Sequence, residues 1–433
     1  MLLSAPGAAL KQAGGALDTE AGRRAFTTIA QMGGEKVKRL LAAFDPAHAS
    51  QQLQPDTARQ IYGALNSASV TRLELFGKCP FAHFMRYAIS PQRTEPFRLT
   101  PRDEGGFFHD ALRAFLAGAG EEMTPQAAQA RMDEISDLLL TRMDGERRFD
   151  TAVSQADRKR LKRTARSAAE ALVMQLKGTG FAPVEMELEF GGADGAALKL
   201  KAPGGDCALE GRIDRIDEWK GPQEDFLRII DYKRGANELR LCEAYYGLQL
   251  QLILYLAAAM RRRQDEGAGV YYFRIDEGIV SEQSTDEWEV AQQRRKHMKL
   301  SGLTIDDKDV VAAMEPMDGD VINIRVNTDG SIARTSPVVE KDALGLVIDR
   351  AMDVAASHVG RIRAGAARPS PARTKRTNPC KFCDHKNACL FDEALHPEDL
   401  RRLTDMKDGE VVDKLKQMRN DDAEDSAYTE EGE

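Results

Sequence analysis

The segment GRIDRIDEWKGPQEDFLRIIDYKRG, residues 211 to 235, most constrains how this chain can fold. Isoleucines in both halves predict two buried strands, and GPQED between them predicts the turn of a β-hairpin. The same strands carry Asp214, Asp231 and Lys233, and burying a charged group without a partner costs several kcal/mol. The charges therefore require a chemical reason.

A divalent cation would supply that reason. Residues i and i+2 of a strand share one face, so Asp231 and Lys233 project together, and a hairpin brings Asp214 close to Asp231. Converging carboxylates repel unless a hard cation lies between them, and Mg²⁺ binds through one or two carboxylates while it keeps waters and substrate phosphate. The alternative is a structural ion pair on an edge strand, either Asp231 with Lys233 or Arg215 with Asp217.

The hydrophobic periodicity predicts an α/β sheet covered by helices. Thr71 and Glu74 have the spacing of a capping box before the helix LELFGKCPFAHFMRY. Further helices are predicted at about 104–116, 124–142, 153–177, 243–260, 285–299 and 339–364. Strands are predicted at 184–190, 207–219, 226–234 and 269–275, with short strands within 321–334.

The composition is that of an ordinary globular chain, with 42% hydrophobic and 30% charged residues. No stretch approaches the roughly 20 apolar residues of a membrane span. The opening MLLSAPGAALKQAGG lacks the basic region and continuous apolar run of a secretory signal. We therefore expect a cytoplasmic protein that does not engage a membrane.

The formal net charge of −8 argues against a nucleic-acid partner until its distribution is considered. The last 13 residues, DDAEDSAYTEEGE, hold seven acids and no base, so the remainder carries only −1. Such a tail is typical of a disordered, solvating end. Positive charge clusters in RKRLKRTAR (158–166), RRR (261–263) and RRK (294–296). These runs fit either solvated helix faces or contacts to a DNA backbone.

The cysteines indicate a second centre. Cys380, Cys383 and Cys389 place three thiols on a short loop, a spacing with which thiolates share one metal centre. Cys79 is the natural fourth ligand, and His385 is the rival that would favour zinc. The remaining two cysteines, Cys207 and Cys242, lie in apolar patterns typical of packing.

Six segments occur in the order found in one nuclease family: YGALNSASVTRLELFGKCPFAHFMRY, EGGFFHDAL, GRIDRID, IIDYKRG, LQLQLILY and PCKFCDHKNACLFD. Residues 61 to 392 resemble the RecB/AddB-like branch of the PD-(D/E)XK nuclease superfamily. The resemblance implies a restriction-endonuclease-like α/β fold, with a central mixed sheet flanked by helices. It also implies a helical N-terminal extension and an iron-sulfur clip.

The resemblance assigns roles to individual residues. The family motifs G-x-x-x-H, G-x-x-D, D-x-K and Q-x-x-x-Y correspond to Gly105 to His109, Gly211 to Asp214, Asp231 with Lys233, and Gln251 with Tyr255. The implied catalytic residues are His109, Asp214, Asp231, Lys233, Gln251 and Tyr255. The implied ligands of Mg²⁺ or Mn²⁺ are His109, Asp214, Asp231 and the carbonyl of Tyr232. A [4Fe-4S] cluster is implied on Cys79, Cys380, Cys383 and Cys389.

From these patterns we expect a helical lead-in at 1–60, a nuclease domain with its cluster at 61–395, and a C-terminal helix with an acidic disordered tail at 396–433. The implied function is a Mg²⁺-dependent DNA exonuclease that acts on single strands or duplex ends in double-strand break repair and recombination, with an AddA-like helicase partner. Because family members carry a long preceding helicase-like region, the chain is either a fragment or a stand-alone relative, such as one related to CRISPR-associated exonucleases. Two other readings remain: an iron-sulfur DNA-binding module with an idle centre, and a zinc-stabilised interaction protein.

Overall fold

The computed structural model describes most of the chain from residue 52 onward. The described residues are 20, 24, 27, 28, 31, 52–92, 99–119, 123–144, 151–177, 179–191, 198–235, 237–276, 297–315, 321–327, 331–333, 335–389, 391–394 and 396–430. Most of the helix predicted at 285–299, and the RRK run within it, lie outside these residues. The chain forms two compact units, each assembled from separate segments. The first comprises Met1–Leu65, Leu75–Pro91 and His358–Asp405, and the second comprises Asn66–Glu74, Gln92–Ser357 and Met406–Glu433.

The second unit is built around an eight-stranded mixed sheet. Its strands are β1 (Ser67–Ser69), β2 (Ala182–Phe190), β3 (Lys199–Ala202), β4 (Gly205–Lys220), β5 (Asp225–Lys233), β6 (Glu266–Arg274), β7 (Leu300–Ile305) and β8 (Val338–Val339). The order is β1-β4-β5-β6-β7-β8, and β2 and β3 also pair with β4. Pairing is antiparallel between β4 and β5 and between β6 and β7, and parallel between β5 and β6 and between β7 and β8.

Helices lie before, between and after the strands. They are α1 (Pro55–Tyr62), α2 (Val70–Lys78), α3 (Pro80–Phe84), α4 (Pro101–Leu116), α5 (Pro125–Asp144), α6 (Ala152–Leu176), α7 (Leu241–Tyr245), α8 (Gln251–Arg263), α9 (Lys308–Met314), α10 (Lys341–Arg363), α11 (Lys386–Cys389) and α12 (Asp408–Glu430). A π-helix spans Met85–Ile89, and a 3-10 turn spans Pro397–Asp399. The prediction of a mixed sheet flanked by helices is confirmed.

The hairpin predicted at residues 207–234 is present, but neither of its strands lies at an edge of the sheet. Both faces are buried, and one holds a charged triad. Asp217 accepts from Arg215 Nε at 2.6 Å and from Arg228 Nε at 2.9 Å, and all three side chains are fully buried. The Arg215–Asp217 ion pair of the structural alternative therefore exists, but it does not lie on an edge strand, because β1, β2 and β3 pair with β4 on its other side.

Two predicted helices are interrupted. The apolar run at 243–260 is divided into α7 and α8, because Gly247 adopts a left-handed φ of 76° that ends the first helix. LELFGKCPFAHFMRY breaks at Cys79, which is extended, with Pro80 starting the next helix. Within 321–334 the described residues form isolated bridges rather than strands.

Helices α2 and α12 also differ from the sequence predictions. Helix α2 already begins at Val70, so Thr71 and Glu74 lie inside it rather than forming a capping box at its start. Helix α12 continues to Glu430, whereas the acidic residues from 421 onward were predicted to be disordered. Ala and Glu favour helix, and no Gly or Pro interrupts this stretch before Gly432.

In the described part of the chain, none of the helices combines the length and apolarity needed to span a membrane.

The first unit holds the C-terminal cysteine loop next to the segment around Cys79. Strands β9 (Ala372–Arg373) and β10 (Arg401–Arg402) pair in parallel there. The Arg401 guanidinium donates to the carbonyls of Ser370 and Gly77 at 3.0 and 2.5 Å. The end of α2 is thereby connected to a segment more than 300 residues later in the chain.

Candidate active site and cysteine pocket

Two buried carboxylates lie on the neighbouring strands β4 and β5. Asp214 is 5% exposed and Asp231 is 1% exposed. Asp214 Oδ2 accepts the backbone N–H of Tyr232 at 2.7 Å, which fixes its orientation across the strand pair. The hairpin therefore places Asp214 against the residue that follows Asp231, and the two carboxylates interact electrostatically.

Lys233 and Gln251 complete a hydrogen-bonded group around Asp231. Lys233 Nζ lies 2.6 Å from Asp231 Oδ2, and Gln251 Nε2 donates to Asp231 Oδ1 at 2.9 Å. Gln251 Oε1 accepts from Lys233 at 3.2 Å, and Gln251 Nε2 also reaches Tyr255 Oη at 3.3 Å. The amide of Gln251 thus holds the acid and the lysine in one arrangement, while Tyr255 lies beside it on α8.

His109 lies between two carboxylates, one of which the sequence did not predict. Its Nδ1 is 3.3 Å from Asp214 Oδ1 and 3.3 Å from Glu187 Oε1. Ligand atoms of His109, Glu187 and Asp214 all lie within 4.8 Å of one another. Glu187 comes from β2, and its other oxygen meets Arg212 Nε at 2.8 Å. These three residues form a donor set that could hold a divalent cation.

Glu187 has an unusual backbone, with a φ of 53° in the left-handed region. For a residue other than glycine such a conformation is uncommon and costs on the order of 1 to 3 kcal/mol. The pairing of β2 with β4 aligns Met186 with Arg215 and Leu188 with Ile213, which sets Glu187 opposite Asp214. The only sequence signal was an acid within that strand, and three acids alternate there.

The close approach of several charged groups shifts the pKa values of His109 and Asp231. Burial lowers the pKa of His109, but hydrogen bonds to Asp214 and Glu187 outweigh it and raise the pKa to about 10. Burial raises the pKa of Asp231, Lys233 lowers it and Asp214 raises it, with a result of about 7. The two facing carboxylates thus favour the protonated imidazole of His109, whereas the pKa of Asp231 is raised mainly because its carboxylate is buried.

The four predicted cluster cysteines line one pocket of about 280 Å³ in the first unit. Burial, together with the nearby Cys79 and Cys383, raises the pKa of Cys380. Burial raises the pKa of Cys389 to about 11, and Cys79 is among the neighbours that contribute. His385 also lines the pocket. The structure thus brings Cys79 next to the distant trio, as the sequence predicted.

The basic run at 158–166 lies in α6 and meets acids of α4 and α5. The ion pairs are Arg160–Glu104 at 2.7 Å, Lys162–Asp137 at 2.7 Å and Arg166–Asp133 at 2.5 Å. Together with Arg158, which lies 3.9 Å from Asp137, these basic residues make up four of the six positive charges in the run. The ion pairs favour a structural role in joining three helices over a contact to a DNA backbone.

The family model of the PD-(D/E)XK nuclease superfamily matches residues 67–390, three-quarters of the chain and the whole of this site. The chain belongs to the PD-(D/E)XK nuclease superfamily. This membership agrees with the mixed sheet and with the place of Asp214, Asp231 and Lys233 at the hairpin.

Curated relatives of this PD-(D/E)XK chain include proteins that are each named as a subunit of an ATP-dependent helicase/deoxyribonuclease. The protein of Moorella thermoacetica is 31% identical over 388 residues, which are 86% of this chain and 34% of the relative. That of Pelotomaculum thermopropionicum is 32% identical over 404 residues, covering 89% and 35%. That of Clostridium tetani is 28% identical over 406 residues, covering 90% and 35%. The chain spans about a third of the length of the relatives it matches.

Proposed function

We propose that this chain is a divalent-metal-dependent deoxyribonuclease that hydrolyses phosphodiester bonds. The observation that carries the proposal is the hydrogen-bonded group of Asp231, Lys233 and Gln251 beside Asp214. A purely structural Asp231–Lys233 ion pair has no need of Asp214, a second buried carboxylate on the neighbouring strand that adds to the desolvation cost.

The donor set fits Mg²⁺ or Mn²⁺. Asp214, Asp231 and the carbonyl of Tyr232 would supply oxygen ligands, and His109 a nitrogen ligand. Glu187 joins this set on the strength of its 3.3 Å approach to His109. The two carboxylates that raise the pKa of His109 would also favour a divalent cation, which would replace the proton of the imidazole. When bound, a divalent cation supplies positive charge that polarises the scissile phosphate and activates water.

The chain's own residues orient the reactants. Lys233 lies at the edge of the buried acids and is 30% exposed, so its ammonium can donate to an attacking water and to a phosphate oxygen. Gln251 holds that ammonium through its carbonyl oxygen. Tyr255 adds a phenol next to Gln251 on the same helix face, where it fixes the amide or reaches a phosphate.

We further propose that Cys79, Cys380, Cys383 and Cys389 hold a [4Fe-4S] cluster. The support is the shared pocket and the electrostatic interaction of Cys79 with Cys380 and Cys389. His385 lines the same pocket and is the fourth ligand of the zinc alternative. The cluster would stabilise the fold by closing a chain segment of about 300 residues.

The relatives' names extend the proposal to the biological role. We propose an exonuclease that acts on single-stranded DNA in double-strand break repair and recombination, supplied by an AddA-like helicase partner. Work on chromosomal DNA agrees with the cytoplasmic location expected from the sequence. The idle-centre alternative lacks an observation in its favour, because Asp214, Asp231 and Lys233 are all in place.

The test uses labelled linear and circular single-stranded DNA with Mg²⁺, Mn²⁺ or EDTA. We expect metal-dependent degradation of the linear strand and little cutting of the circle. Asp231→Ala and Asp214→Ala should abolish cleavage, while DNA binding remains because phosphate contacts supply most affinity. Asp206→Ala is the matched control, since Asp206 is an exposed acid near the start of β4 and should leave cleavage unchanged. Mg²⁺-dependent cutting by either active-site variant would refute the proposed site.

A further inference from the structure

The helix that carries Gln251 and Tyr255 begins without a cap of its own. Helix α8 starts at Gln251, and its N-cap residue is Leu250, whose side chain makes no capping hydrogen bond. The first N–H groups of a helix have no partner within the helix and need an external acceptor when they are buried. Leucine cannot provide one.

Glu74 provides the acceptor from α2, about 176 residues earlier in the chain. Its Oε1 accepts the N–H of Leu250 at 2.6 Å and that of Gln251 at 2.8 Å. The residue is 8% exposed. A carboxylate at this position also interacts favourably with the positive end of the helix dipole, and hydrogen bonds to a charged acceptor are stronger than neutral ones.

One of these two N–H groups belongs to Gln251, the residue whose side chain connects the groups of the candidate site. Gln251 donates its backbone N–H to Glu74 and, through its side chain, contacts both Asp231 and Lys233. Because Gln251 is the first residue of α8, the helix holds its backbone only from the C-terminal side. The Glu74 carboxylate therefore fixes the point from which the Gln251 amide reaches the reacting groups.

We infer that Glu74 is a positioning residue for the nuclease centre, acting through the backbone of Gln251 on Lys233 and Asp231. The inference rests on the proposed function for its kinetic consequences and on the hydrogen bonds alone for its structural ones. Small displacements of a reacting group reduce rate steeply, by up to about a hundredfold for 1 Å. We therefore expect Glu74 to act on kcat more than on DNA affinity.

The variants separate geometry from charge. Glu74→Ala removes the acceptor and should lower kcat by about tenfold or more, with the Kd for single-stranded DNA within about twofold of the original. Glu74→Gln keeps a carbonyl acceptor and should recover most of kcat. Should Glu74→Ala fail to fold, Glu74→Asp keeps the charge but withdraws the carboxylate by one methylene, and should also lose kcat.

Asp307→Ala provides a matched control. Asp307 is the N-cap of α9 and accepts from the N–H groups of Asp309 and Val310 at 2.9 and 3.0 Å. Its loss also removes a carboxylate cap from the same unit, but from a helix without site residues. We expect a lower denaturation midpoint in both alanine variants and a lower kcat only at Glu74.

Two further measurements test whether Glu74 acts through the backbone of Gln251. Hydrogen exchange should accelerate in the peptide containing Leu250 and Gln251 in Glu74→Ala, but not in Asp307→Ala. In a double-mutant cycle, adding Glu74→Ala to Gln251→Ala should cause no further loss of kcat. The positioning role would be overturned if the two substitutions multiplied their losses of kcat in the double variant. Full kcat in an active Glu74→Ala protein would overturn it as well. Absence of cleavage by the unaltered chain would instead refute the proposed function, while the exchange result would still decide whether Glu74 caps α8.

Discussion

His109 is the residue whose charge depends most directly on what the site holds. Its folded-state pKa is raised to about 10 from 6.5 by Asp214 and Glu187, against the effect of burial. A raised pKa contributes stability that is fully present below pH 6.5 and is lost as the pH rises through 10. A divalent cation would compete with this proton for the same carboxylates.

In EDTA, the urea midpoint of the protein should therefore fall between pH 7 and about 9.5, and it should fall less in His109→Gln. Asp231, with its raised pKa of about 7, also titrates at the lower end of this window, but it is present in both proteins, so the difference between their profiles reports the imidazole. Saturating Mg²⁺ should flatten the profile of the original protein. Parallel pH profiles of the two metal-free proteins would show that His109 does not hold the proton.

At the scale of elements, the contact of β4 with α8 depends on the absence of a side chain. A Cβ on Gly211 would lie 2.7 Å from the rings of Phe190 and Tyr255, which themselves meet edge to face with centroids 5.5 Å apart. The glycine of the G-x-x-D motif therefore allows the strand to approach the Tyr255 ring. Any larger residue must displace one ring, and Tyr255 lies next to Gln251.

Gly211→Ala should destabilise the protein by about 1 to 3 kcal/mol through overpacking and should lower cleavage activity as Tyr255 moves. Gly345→Ala is the matched control, because Gly345 is exposed on α10 and a Cβ there meets nothing within 4 Å. This control should stabilise the fold by up to about 1 kcal/mol, since alanine favours helix over glycine. Urea denaturation and a cleavage assay measure both effects, and equal behaviour of the variants would contradict the packing argument.

The hairpin of β4 and β5 could be predicted because isoleucines mark both strands and the turn between them is short. The division between α7 and α8 could not, because both pieces are buried and the apolar pattern continues across Gly247. The site contribution of Glu187 depends on the register between β2 and β4, which the alternation within one strand does not reveal. Glu74 matched a local capping pattern, whereas tertiary structure directs its carboxylate to another helix.

At the scale of the whole molecule, the first unit draws its parts from distant stretches of chain, and the cysteine pocket joins two of them. Cys79 comes from the stretch that ends at Pro91, and Cys380, Cys383 and Cys389 come from the stretch that begins at His358. A shared cluster would restrict the unfolded chain over about 300 residues. Stability and metal content should therefore be linked.

Cys79→Ala should lose iron, bleach the absorbance near 400 nm and lower the melting temperature, although it lies far in sequence from the other three thiols. Cys242→Ala should keep its iron, because Cys242 is buried in the second unit at the start of α7. Iron content per chain, measured beside a thermal melt, tests both. Full iron retention in Cys79→Ala would leave His385 or a local site as the fourth ligand.

The buried triad of Arg215, Asp217 and Arg228 has a consequence for how the chain reaches this fold. Asp217 and Arg228 are direct cross-strand partners, and the same alignment sets Asp214 beside Asp231. A slip of one residue would turn β5 over relative to β4, so that Arg228 would lie on the face of the acids and Asp231 on the face of Arg215 and Asp217, while a slip of two would separate the Arg228 guanidinium from the Asp217 carboxylate. The triad therefore penalises every misaligned hairpin, so that only chains with correctly paired strands can assemble the cleavage centre on the opposite face.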